Sequence, residues 1–110
     1  PSLPESPYYE LAKKLFKDQC AGGVLSFKIK GGRSEVIKFL QNLKMIFTSP
    51  SFGAPETIAS YPVMSAAKQI PPEIREKIGI TENLIRLAVG LENAEDIIQD
   101  LEQALDKAFK

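Results

Sequence analysis

Hydrophobic positions along this chain change their period several times, and each change marks an element. Near the N-terminus Tyr8, Leu11, Ala12 and Leu15 share one helical face, with Ser6 placed as a cap and Pro7 at the first turn. That spacing predicts a helix over residues 7–17. Gly22-Gly23 breaks the chain, and Leu25, Phe27 and Ile29 then alternate with Ser26, Lys28 and Lys30. Period two predicts a half-buried strand over residues 24–30. After Gly31-Gly32, Ser34 is placed to cap a second helix whose apolar stripe is Val36, Ile37, Leu40 and Leu43. Residues 45–48 read as a short strand and 49–55, rich in proline and serine, as a shaped loop. Tyr61-Pro62-Val63-Met64 reads as a short edge strand, because proline cannot donate to a central ladder. Pro71-Pro72-Glu73 opens a brief helix that Gly79 stops.

The last third carries the clearest pattern. Residues 84–89 form a strand in which Ile85, Leu87 and Val89 face one way and Leu84, Arg86 and Ala88 the other. Asn93 then caps a helix to about residue 109, with Glu95 and Asp96 in its first turn and Ala94, Ile97, Ile98, Leu101, Leu105 and Ala108 on its buried face. Helices interspersed with half-apolar strands predict an α+β fold. We expect one two-layer domain over residues 1–110, a mostly antiparallel sheet with helices on one face.

Composition narrows the function classes. Fourteen basic and fourteen acidic residues cancel, so nothing in the charge favours nucleic acid or an anionic membrane. No apolar run approaches the ~20 residues that span a bilayer. The absence of histidine removes histidine-based acid–base chemistry and most zinc and iron sites from this chain. The lone cysteine, Cys20, cannot form a disulfide within the chain; it suits a cytoplasmic location and is expected to pack near a turn.

The candidate for chemistry is Arg86, set within an apolar strand. A guanidinium on a rigid element is a bidentate carboxylate receptor, because its planar fork matches two oxygens. From the residue pattern alone the favoured reading is a solvent-facing strand arginine paired to a nearby acid. The acids Glu95, Asp96, Asp100 and Glu102 read as the solvated face and first turn of the last helix. Lys28, Lys30, Lys44 and Lys77 read as solubilising surface charge.

The run LIRLAVGLENAEDIIQDLEQAL resembles the C-terminal end of the pyridoxal-phosphate-dependent Cys/Met metabolism enzymes, the transsulfuration family. PPEIREKIGIT, PSFGAPETI at residues 50–58 and GGVLSFKIKGG at residues 22–32 extend the likeness over nearly the whole chain, in the same order. The resemblance is greatest to the cystathionine gamma-lyase and gamma-synthase members. It implies the small C-terminal domain of an enzyme using pyridoxal 5'-phosphate, with Arg86 gripping the α-carboxylate of a sulfur amino-acid substrate. It also implies a role for Ser51, in Ser51-Phe52-Gly53-Ala54, beside that carboxylate. Glu56 and Thr57 match the pair that follows this turn, and read as a helix-start pair or loop anchor. Pro50 and Ala54 depart from the family's usual residues there, and Pro62-Val63-Met64-Ser65-Ala66 lacks the histidine often found in relatives.

The resemblance further implies a large cofactor-binding domain as partner and a homotetrameric parent. The lysine context that attaches the cofactor is absent from these 110 residues, so no catalytic, cofactor-binding or metal residue is expected in this chain. An opening Pro-Ser-Leu-Pro without methionine fits an excised domain, inactive alone. The alternative is a free-standing amino-acid-binding or regulatory module without catalysis.

Overall fold

The computed structural model describes residues 2–17 and 20–110. In chain order the elements are α1 (Tyr9–Leu15), β1 (Val24–Lys28), α2 (Arg33–Asn42), β2 (Phe47–Thr48), β3 (Ile58–Ser60), a 3-10 turn (Pro62–Met64), α3 (Pro72–Lys77), β4 (Leu84–Ala88) and α4 (Ala94–Ala108). The sheet runs β1-β4-β3-β2. β4 is antiparallel to both its neighbours, while β2 and β3 are parallel. The fold is α+β, as the sequence pattern implies. No helix among the described residues is long and apolar enough to cross a membrane.

The core lies on one face of this sheet. Ala59, Ile85 and Leu87 point into it and meet Val36 and Phe39 of α2 and Ile97, Ala104 and Ala108 of α4. Phe39 is fully buried and meets Phe27 edge-on, ring centroids 6.2 Å apart. The apolar stripe read along α2 omitted Phe39, yet Val36 and Phe39 are its buried residues, while Ile37, Leu40 and Leu43 are only partly covered. The helix axis is turned so that the i, i+3 pair faces the sheet.

Several boundaries differ from expectation, each for a physical reason. α2 begins at Gly32 rather than with a Ser34 cap: the Glu35 carboxylate accepts from the Gly32 N–H at 2.8 Å and closes the first turn. Residues 61–64 form no strand. Pro62 instead starts a helical turn, where its missing N–H is not needed, and the strand, β3, lies just before it. β3 is central and buried throughout, so Ile58-Ala59-Ser60 shows no alternation to read.

The last helix is capped as expected, Asn93 Oδ1 accepting from Glu95 N–H at 2.9 Å, but its buried face is rotated. Ala94 and Ile98 are exposed, whereas Asp100 and Ala104 are buried. Asp100 does not belong to the solvated face. Its carboxylate accepts main-chain N–H bonds from Lys44, Met45 and Ile46 at 2.9 Å each. Burial pushes its carboxyl up, but these donors outweigh burial and hold it below the ordinary value. Val89 is exposed rather than sharing the fate of Ile85 and Leu87, because the strand ends at Ala88.

The N-terminal part is less covered than its pattern suggests. α1 is shorter than residues 7–17 and buries only Ala12, leaving Tyr8, Leu11 and Leu15 exposed. Residues Val24 and Leu25 of the edge strand β1 are exposed as well, beside a cavity of about 770 Å³ lined by Leu3, Phe16 and Phe27. Cys20 is exposed rather than packed.

Candidate functional site

The face of the sheet opposite the helices carries Arg86. In the ladder Arg86 sits between Ser26 of β1 and Ser60 of β3. Directly opposed residues share a face, so the guanidinium is flanked by two short side chains and has room above the sheet. A loop occupies part of that room. β2 and β3 are parallel, so no tight turn can join them, and the chain must travel back along the sheet before entering β3. The return segment, residues 49–57, leaves β2 level with Arg86 and re-enters level with Ala88.

Its first part touches the arginine. Arg86 Nη2 donates to the Pro50 carbonyl at 2.8 Å and to the Ser51 carbonyl at 3.0 Å. The guanidinium carbon lies 5.2 Å from the centroid of the Phe52 ring, a cation–π distance. Arg86 Nε is buried with no hydrogen-bond partner among the described residues. An arginine carries five N–H donors in a fixed fork, and this one spends Nη2 on its own loop. Arg86 and Ser51, the two residues singled out from sequence, are thus brought together, though Ser51 meets the guanidinium through its main-chain oxygen. The Ser51 N–H donates to Ser49 Oγ at 3.3 Å, and its side chain is exposed. No acid pairs with Arg86 among the described residues.

The far end of the same segment is anchored to the chain just after β4. Glu92 accepts from Thr57 twice, from its N–H at Oε1 and from its hydroxyl at Oε2, both at 2.7 Å. The main-chain bond from Thr57, then its hydroxyl, holds the Glu92 carboxyl below the ordinary range. Gly90 N–H donates to Thr57 Oγ1 at 2.8 Å, and Leu91 N–H to the Pro55 carbonyl at 2.7 Å. Thr57 is a loop anchor and not a helix start, since strand β3 follows it, while Glu56 is exposed. Sequence reading passed over Phe52 and Glu92. Nothing in their local pattern marks them, since both act on residues distant in the chain.

One face of the sheet is covered by helices, and the other carries the buttressed Arg86, to which no acid is paired among the described residues. Comparison with known proteins gives the class. Residues 1–106 match the family model described as Cys/Met metabolism PLP-dependent enzyme, and this chain belongs to that family. It is 46% identical over 107 residues to an L-methionine gamma-lyase of Fusobacterium nucleatum, a stretch that is 97% of this chain and 27% of that protein. It is 43% identical to the Bos taurus cystathionine gamma-lyase over 98% of this chain and 26% of that one. Against the crystal structure of cystathionine gamma-lyase from yeast the TM-score is 0.93 at 34% identity, covering all of this chain and 28% of the yeast chain. The chain therefore spans about a quarter of the length of these relatives.

The family's cofactor carries a phosphate, which needs cations or clustered N–H donors to hold it. Lys28, Lys30, Lys44 and Lys77 are exposed. Neither the cavity beside β1 nor a second of about 270 Å³ between Leu40, Pro50 and Met64 is lined by a charged side chain. The described residues do not fit the cofactor by themselves.

Proposed function

We propose that this chain is the C-terminal, substrate-carboxylate-binding domain of a pyridoxal-phosphate-dependent transsulfuration enzyme. The intact protein would cleave or exchange a C–S bond of cystathionine or a related sulfur amino acid. This domain would supply Arg86, with Ser51 beside it, as the clamp for the α-carboxylate, and would be inactive alone. Its partners would be a large cofactor-binding domain and further copies in a cytoplasmic homotetramer.

The observation that carries the reading is the state of Arg86. Its guanidinium is fixed on a central strand and buttressed by two loop carbonyls and an aromatic ring, yet has no acid partner among the described residues. Its Nε–H is buried with no hydrogen-bond partner among the described residues. A guanidinium without a paired acid can take a ligand carboxylate as its partner, a charge-assisted interaction of the strong kind. Fixing the carboxylate orients the bond at Cα or beyond that is to react. The rival reading, a free-standing binding module, has no observation of its own in its favour.

The test is Arg86→Lys in the full-length protein. Lysine keeps the charge but not the fork, so KM for an amino-acid substrate should rise about 10–100-fold with the melting temperature nearly unchanged. An unchanged KM with a clear loss of stability would make Arg86 a structural residue and sink the proposal.

A further inference from the structure

We propose that Thr57 and Glu92 are positioning residues for Arg86, acting through the segment between them. This rests on the reading of Arg86 as a carboxylate clamp and adds what aims it. Residues 49–57 form a strap along β4, tied at two places. At the near end the Pro50 and Ser51 carbonyls hold Arg86 Nη2 and the Phe52 ring lies against the guanidinium. At the far end four hydrogen bonds of 2.7–2.8 Å join Pro55 and Thr57 to Gly90, Leu91 and Glu92.

The two ends differ in how firmly they hold. Pro50, Ser51, Phe52 and Gly53 are exposed, and Gly53 takes the left-handed φ of +75° that turns the strap. Thr57 is fully buried and meets a carboxylate through both its N–H and its hydroxyl, a charge-assisted pair of bonds. At Gly90 the strap packs directly on the backbone: a Cβ there would lie 2.3 Å from the Pro55 carbonyl oxygen. The strap is therefore located by its buried far end, and its exposed near end inherits that location. A guanidinium held by two strap carbonyls is aimed only as well as the strap is placed. Since Arg86 and Gly90 lie on one continuous stretch, the latch references the strap to the strand that carries the clamp. Releasing the Thr57–Glu92 pair would let the near end drift and turn the fork away from the carboxylate.

The test uses the full-length protein and two probes without a leaving group, L-alanine and L-alaninamide, with affinities measured by calorimetry. The difference between them isolates the grip on the carboxylate. Thr57→Val should weaken L-alanine binding about tenfold while leaving L-alaninamide unchanged, and should raise KM more than it lowers kcat. Thr57→Ser, which keeps the hydroxyl, should restore the affinity. In an Arg86→Lys background the effect of Thr57→Val should vanish, because the two act on one interaction. If Thr57→Val does not fold, Glu92→Gln serves, keeping the side-chain size but losing one acceptor. An equal loss for both probes, or no loss while Arg86→Lys weakens L-alanine, overturns the positioning role and leaves the clamp standing. If Arg86→Lys itself leaves L-alanine binding unchanged, the clamp reading fails, and the positioning role with it.

Discussion

Arg86 and Asp100 are both charged side chains in elements that are otherwise largely apolar on their inner face, and their environments set opposite roles. Arg86 keeps donors unspent; Asp100 has its oxygens filled by three N–H groups and by the Gln103 amide at 2.9 Å. Asp100→Ala would leave those N–H donors without an acceptor at the α4 surface and should destabilise the protein by about 2–3 kcal/mol, read from chemical denaturation. The pH dependence has a definite sign. The folded-state value is depressed below 3.8, so the charged form stabilises the fold above that pH, and the stabilisation is lost as pH falls through the folded value. Melting curves between about pH 2 and pH 6 should therefore show a shallower acid limb for Asp100→Asn than for the unchanged protein. A steeper or equal limb would mean Asp100 is not the group responsible. Sequence alone marked Arg86 because a lone cation in an apolar strand is unusual. It placed Asp100 in the solvent, because an acid in a helix is ordinary, and its main-chain partners lie more than fifty residues away, 56 in the case of Lys44.

Among the elements, the C-terminal strand and helix were the most legible. Their periods of two and 3.6 run long enough to stand out, and Asn93 caps as its type predicts. β3 was not legible, since three buried residues carry no period and small side chains such as Ala59 and Ser60 carry little signal. The α2 stripe was read with its centre shifted, and the buried position Phe39 shows by how much. Phe39→Ala should cost about 3–5 kcal/mol, because it removes a fully buried ring that meets Phe27 and the core of both helices. Leu40→Ala, on the stripe as read from sequence but only partly buried, should cost clearly less. Equal losses at the two positions would restore the sequence-based orientation of the helix.

For the whole molecule, the uneven covering of its surface matters most. Leu11 and Leu15 of α1 are 54% and 69% exposed, and Val24, Leu25 and Phe16 lie bare near the cavity beside β1. Scattered apolar residues are normal on a surface, but an apolar helix stripe and an apolar cavity rim give a hydrophobic dye places to bind. Leu11→Ser combined with Leu15→Ser should reduce dye fluorescence with the chain while shifting its stability by no more than about 0.5 kcal/mol. A large loss of stability instead would mean that these two leucines are covered in the folded protein. By itself, the amino-acid order determined the α+β class, the long periodic elements and the arginine strand, because local periodicity and capping act over a few neighbouring residues. It determined family membership too, because that likeness is a property of residue order. The tertiary structure decided which short segment becomes the central strand, that Asp100 turns inward, and that the 49–57 strap meets Arg86 at one end and Glu92 at the other. Those outcomes depend on contacts between residues distant in the chain, such as Ser60 with Arg86, Gly90 with Thr57 and Lys44 with Asp100, and no local pattern encodes the partner of such a contact.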